Sequence, residues 1–66
     1  MQEAMIVLHW EVRDLFINAF AYGNVGTERD VVEHLRSGNH LNPGQRAVVA
    51  AALNDALLAI GHPLRV

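Results

Sequence analysis

The chain has 66 residues, a formal net charge of −2, 52% hydrophobic residues and no cysteine. A chain of this length forms one domain, which buries only about 60% of the surface that its unfolded form exposes. The lack of cysteine excludes a disulfide-rich secreted scaffold and fits a reducing compartment, so we expect a cytoplasmic protein. Domains this short usually need an additional source of stability, and we expect it to be association with a second copy.

The stretch from Ala4 to Tyr22 dominates the sequence, and its spacing predicts one long helix over about residues 3–22. Apolar residues recur at intervals of three and four, which places them on one helical face. We call this the first strip, and its members are Met5, Leu8, Val12, Leu15, Ala19 and Tyr22. A second strip on the same rod contains Ile6, Trp10, Ile17 and Phe20. Two strips require two neighbours, and the spacing alone does not decide which of them faces the core.

A membrane location does not suit this helix. Glu11, Arg13 and Asp14 fall in the middle of the apolar run, where each Asp or Arg costs about 2.5–3.5 kcal/mol on insertion scales. The polar face is acidic, whereas helices that lie on membrane surfaces are normally rich in Lys and Arg. We therefore expect no membrane partner.

A short second helix is predicted over residues 28–37. The turn at residues 23–26 contains two glycines, and Thr27 then provides an N-cap with acidic residues in the first turn. Asp30 occupies the position where the capping box prefers Glu or Gln. Gly38 is suited to end the helix, because glycine adopts the left-handed conformation without strain.

The third helix is predicted over residues 43–60. Asn42 is its expected cap, Pro43 its first residue and Gln45 the third member of a capping box. Gly61 is expected to end it. The principal apolar face is predicted to contain Val49, Leu53, Ala56, Leu57 and Ile60. The result is a single all-α domain, residues 1–66, with three helices (long–short–long) in a small bundle that homodimerisation completes.

The sequence contains no recognisable catalytic, cofactor or metal motif. The four histidines are His9, His34, His40 and His62. None is paired with another at a spacing that metal sites use, so we interpret them as surface or helix-end residues. One serine, one threonine and no cysteine leave few nucleophiles. We therefore expect no metal, no cofactor and no enzymatic activity.

The apolar surplus of the first helix favours a protein–protein interaction module. We predict that it acts as a homodimer and binds an unidentified protein, in the manner of a small regulator, inhibitor or adaptor. Trp and Arg are enriched at the energetically dominant positions of protein interfaces. The predicted interface is built on the second strip and contains Ile6, Trp10, Arg13, Ile17 and Phe20.

A helix-turn-helix DNA-binding regulator is the alternative hypothesis. Residues 28–37, the connector and helix 43–60 would form the motif, with Gln45 and Arg46 at base edges and Arg36 on phosphate. The negative net charge and the apolar character of the third helix beyond Arg46 count against this alternative, because DNA binding depends on cationic surface.

Overall fold

The computed structural model describes all residues, 1–66, and the chain is entirely helical. Its four helices are α1 (Gln2–Leu8), α2 (Val12–Phe20), α3 (Glu28–Ser37) and α4 (Pro43–Ala59). The predicted all-α class is confirmed, and the predicted number of helices is wrong. The segment expected to form one helix over residues 3–22 is divided into α1 and α2.

The division lies at His9, which has a left-handed backbone with a φ of 57°. The Trp10 N–H donates to the Met5 carbonyl at 2.9 Å, and the His9 N–H donates to the Ile6 carbonyl at 3.2 Å. These two bonds form a Schellman motif, which satisfies the last carbonyls of α1. Histidine is one of the few residues other than glycine that is enriched in this conformation.

α2 begins immediately after this reversal. Glu11 is its N-cap residue, and the Glu11 backbone N–H donates to the Asp14 carboxylate at 2.8 Å. The Asp14 carboxylate also lies in the first turn, where it interacts favourably with the helix dipole. Residues 9–11 therefore contain both a complete helix stop and a helix start.

The predicted caps of the other two helices are confirmed. At the start of α3, the Thr27 hydroxyl accepts from the Asp30 N–H at 3.2 Å, and the Asp30 carboxylate accepts from the Thr27 N–H at 2.9 Å. Asn42 and Gln45 make the equivalent reciprocal pair at the start of α4. Gly38 ends α3 with a φ of 83°. These ends were predictable because each one depends on a local chemical group.

α2 and α4 form the centre of the bundle, with α3 packed mainly on α2 and α1 on α4. The side chains most completely buried are Leu15, Leu53, Leu57, Val25, Val31 and Val49. Met5, Leu15 and Ala19 of the first strip are buried in this core, and Leu8 and Val12 pack against it. The structure thus assigns the first strip to the core, apart from Tyr22, which is exposed.

The accessible surface of the chain is 4141 Å². A globular monomer of this mass is expected to expose about 4,200 Å². The core is therefore covered by the chain itself, and any argument for association depends on what lies on the surface. None of the four helices has the length and apolar character that a membrane crossing requires.

Substitutions at His9 test the helix break. We expect His9→Val to lower the free energy of unfolding by about 1–2 kcal/mol, because a β-branched residue is strained in the left-handed region. His9→Asn should change it by less than about 0.5 kcal/mol, because Asn adopts this conformation readily. Urea denaturation measures both variants. Equal stabilities for the two would contradict a left-handed residue 9, since Val and Asn have similar helix propensities.

Candidate protein interface

An apolar groove runs between α1 and α3 and is closed at one end by the helix break. Its volume is about 540 Å³. Met5 and Ile6 form the α1 wall, and Val32 and Leu35 form the α3 wall. Trp10 lies at the break and is half-buried. The complete lining is Gln2, Met5, Ile6, His9, Trp10, Val12, Val32, Leu35 and Arg36.

A hydrogen bond connects the two walls of the groove. The Gln2 side-chain amide donates to the Leu35 carbonyl at 3.0 Å. This carbonyl is in the last turn of α3, where main-chain acceptors lack helical partners. The start of α1 is thereby held beside the end of α3, and the groove between them remains open to solvent.

The exposed face of α2 is the second apolar feature. Arg13, Ile17 and Phe20 follow one another at spacings of four and three, so they lie on one side of the helix. Ile17 is 60% exposed and Phe20 is 55% exposed. The Phe20 ring is tilted against the ring of Phe16, with centroids 5.8 Å apart. The Arg13 Nε lies 3.8 Å from a Glu28 carboxylate oxygen, and both side chains are substantially exposed, so this pair contributes little to stability.

The structure leaves most of the predicted interface on the surface. Ile6 is 74% exposed and shares the groove with Trp10. Arg13, Ile17 and Phe20 are brought together on α2. The five residues thus form two adjoining features, a concave one on α1 and the break and a convex one on α2.

Two apolar residues at helix ends are exposed, although the sequence predicts that they are buried. Ile60 was assigned to the buried face of the last helix and Tyr22 to the first strip, yet both are more than half exposed. The chain reverses at Gly61, which has a φ of 72°. Ile60 lies just beyond the end of α4, so helical spacing does not determine which way its side chain faces. Leu58 is 64% exposed, and together with Ile60 it forms an apolar end to α4 that sequence reasoning did not single out.

Tyr22 joins the end of α2 to α4 through its hydroxyl. The Tyr22 O–H donates to the Asp55 carboxylate at 2.6 Å. This hydrogen bond, followed by partial desolvation and the negative charge of Asp55, raises the pKa of Tyr22 above 10.0. The bond links the two central helices on the outside of the core.

His34 was interpreted as a surface or helix-end histidine; it lies in the last turn of α3, but it is buried rather than exposed. Its side chain is 6% exposed, and its Nδ1 accepts hydrogen bonds from two main-chain N–H groups of the connector between α3 and α4. No spacing rule indicates such a contact, because the partners are in the loop that follows the helix.

The residues of the DNA-binding alternative do not form a common surface that could contact DNA bases. The Gln45 side chain accepts from the Asn42 N–H at 3.1 Å, so it is used as a cap. A guanidinium nitrogen of Arg36 lies 3.3 Å from a carboxylate oxygen of Glu33. Arg46 is exposed on α4. α3 packs chiefly on α2 rather than on α4, so the two helices of the proposed motif do not form a packed unit.

The remaining polar side chains form no metal-binding group and leave no buried side-chain atom unpaired. No group of three or more His, Asp and Glu side chains is arranged to hold a metal ion. No buried side-chain nitrogen or oxygen lacks a hydrogen-bond partner. The groove and the exposed face of α2 are therefore the candidate binding surfaces of the molecule.

No family model, curated protein or solved structure matches this chain.

The single tyrosine of the chain allows a direct test of the link between α2 and α4. Since the pKa of Tyr22 is raised in the folded protein, the contact contributes stability below pH 10.0 and loses it as the pH rises through the raised value. We expect Asp55→Asn to return the ionisation midpoint of Tyr22 to about 10. Ultraviolet titration measures it. Asp14→Asn, a carboxylate change elsewhere, should leave the midpoint raised; an unchanged midpoint in Asp55→Asn would contradict the assignment.

Proposed function

We propose that this chain is a small protein-binding module that works as a homodimer and acts as a regulator, inhibitor or adaptor. The observation that carries the proposal is the second strip, whose isoleucines are 60% and 74% exposed although the chain covers its own core. Isolated exposed apolar residues are ordinary, whereas a groove adjoining an apolar helix face is typical of an interaction surface.

The convex face of α2 is the proposed site of self-association. An interface between identical copies with two-fold symmetry uses the same patch on both partners, and a helix face without concavity suits this arrangement. Arg13 lies one turn before Ile17 on this face, and its exposed pair with Glu28 can be exchanged at small cost. Complete burial of Ile17 and Phe20 would contribute about 1.5–3 kcal/mol each.

The size of the chain sets the scale of such an interface. A standard stable interface buries about 800 Å² on each partner. That area is about a fifth of the 4141 Å² exposed by this chain. The α2 face together with the adjoining rim of the groove would therefore be largely consumed by a dimer contact, and the floor of the groove would remain for a different protein.

The groove is the proposed site for the second protein. It has hydrophobic walls from two helices and the half-buried Trp10 at its end. Concave apolar grooves between helices accept the apolar face of a helix from another protein. Its polar rim is formed by Gln2, His9 and Arg36, which all offer donors and would orient the guest. A cytoplasmic location and the lack of catalytic activity remain predictions within this proposal.

Self-association is tested by Ile17→Glu with Leu58→Glu as the matched control. Both residues are helical, and they are 60% and 64% exposed. Loss of a central apolar contact costs about 2 kcal/mol or more, so Ile17→Glu should weaken the dimer by roughly 30-fold or more. Sedimentation equilibrium over a concentration series measures this. A parent chain that stays monomeric throughout, or dissociation caused by Leu58→Glu alone, would refute the proposed contact.

Partner binding is tested by affinity capture from the native host followed by mass spectrometry. We expect a protein that binds the parent chain and Leu58→Glu and is lost with Ile6→Glu, because a carboxylate in the groove would be desolvated without a partner. The single tryptophan, Trp10, lies in this groove, so its fluorescence should change when the purified partner is added. Binding that is indifferent to Ile6→Glu would place the partner elsewhere.

A further inference from the structure

The connector between α3 and α4 is fastened by one buried imidazole. His34 lies in the last turn of α3, and its Nδ1 accepts from the N–H groups of His40 and Leu41, each at 3.1 Å. Leu41 belongs to the buried core. Asn42, which caps α4, follows directly. The position of the connector is therefore determined by an acceptor that has a titratable ring.

The two hydrogen bonds determine the protonation state of His34. Because Nδ1 accepts from two donors, the proton of the neutral ring resides on Nε2. That nitrogen makes no hydrogen bond within the chain and keeps contact with solvent, since no buried nitrogen is left without a partner. A second proton can bind only at Nδ1, where it would meet the two N–H groups. A protonated His34 and a fastened connector are therefore mutually exclusive.

We propose that His34 is an acid-sensitive latch, which holds the backbone of His40 and Leu41 while its ring is neutral and releases it when the ring is protonated. The latch depends on these contacts alone and is independent of the proposed protein-binding function. Release of the latch is measured as opening of the connector, residues 38–42, which joins α3 to α4.

Charged groups from three elements face the His34 ring. Burial lowers the pKa of His34 below 6.5, and the charges of Arg46 from α4 and of His40 from the connector lower it further. On the side of α1, Glu3 and the amino terminus of Met1 line a cleft of about 460 Å³ that His34 also lines. The cationic neighbours and the burial favour the neutral ring, so the latch is closed at neutral pH.

A contact with Asp30 holds the side chain of His40 in place. Its Nε2 lies 3.0 Å from the Asp30 carboxylate. The N–H of Thr27, the His40 ring and the Thr27 hydroxyl hold the pKa of Asp30 at about 2. The Asp30 carboxylate therefore remains an acceptor for His40 in mild acid. Opening is thus confined to the main chain that faces His34.

The sign of the pH dependence follows from the lowered pKa. The folded chain binds fewer protons at His34 than the unfolded one, so the contact contributes fully above pH 6.5 and is lost as the pH falls through the lowered pKa. The contribution of Asp30 is lost only between pH 3.8 and about 2. The two effects occupy separate ranges of pH, so mild acid leaves the contribution of Asp30 in place.

Amide hydrogen exchange at His40 and Leu41 tests the proposal on the intact chain. If the open connector titrates His34 near its ordinary pKa of about 6.5, opening should become about tenfold more frequent between roughly pH 7.5 and pH 5.5, after correction for intrinsic exchange chemistry. Amides in the middle of α4 should show no such change. Nitrogen chemical shifts of the His34 ring, measured in the same samples, should report the Nε2–H tautomer at neutral pH. The proposal would be overturned by the Nδ1–H tautomer or by unchanged opening while the ring titrates.

Two variants separate the latch from a general loss of stability. His34→Asn retains an acceptor in place of Nδ1 and cannot titrate, so it should lose the tenfold response. His40→Gln retains the backbone donor and removes the ionic contact with Asp30, so it should keep the response. An acid response that persists in His34→Asn, or disappears in His40→Gln, would refute the latch. If His34→Asn does not fold, the parent chain decides on its own, because the Nε2–H tautomer and the tenfold change in opening must both be observed.

Discussion

The left-handed backbone at His9 is the constraint on which the rest of the molecule depends. It ends α1 with two main-chain hydrogen bonds and lets Glu11 start α2 within two residues. An unbroken rod would be about 30 Å long and could lay only part of its first strip on α4. Divided, the strip reaches α4 from two helices, because both α1 and α2 pack on it. The chain can therefore cover its own core, while Ile6, Ile17 and Phe20 of the second strip stay exposed.

The helix stops and starts that were predictable from the sequence are those with a recognisable chemical group. Thr27 with Asp30 and Asn42 with Gln45 place acceptors where the first N–H groups of a helix need them. The break at His9 was missed because the apolar period continues through it almost in phase. Its signal was the acidic side chain of Asp14 three residues after Glu11, combined with a histidine, which tolerates a positive φ.

The candidate interface could be predicted only as a list of apolar residues. Helical spacing grouped Ile17 with Phe20 correctly, since both lie on one uninterrupted helix. It could not reveal the groove, because the groove requires Val32 and Leu35 of α3 to stand opposite Ile6, and that arrangement is tertiary. The role of His34 was hidden for a similar reason: its partners are in a loop, whose path no periodicity describes.

The placement of the groove between α1 and α3 has a consequence for its width. The mutual packing of α2 and α4 is the most extensive in the bundle, whereas each wall of the groove is fixed mainly to one of these two helices. Segments with few anchoring contacts open at lower free energy than the centre of a domain. The width of the groove can therefore change while the packing of α2 on α4 is kept, and the Gln2–Leu35 hydrogen bond limits how far it opens. Under the proposed function, this would allow the groove to bind helices of different diameter.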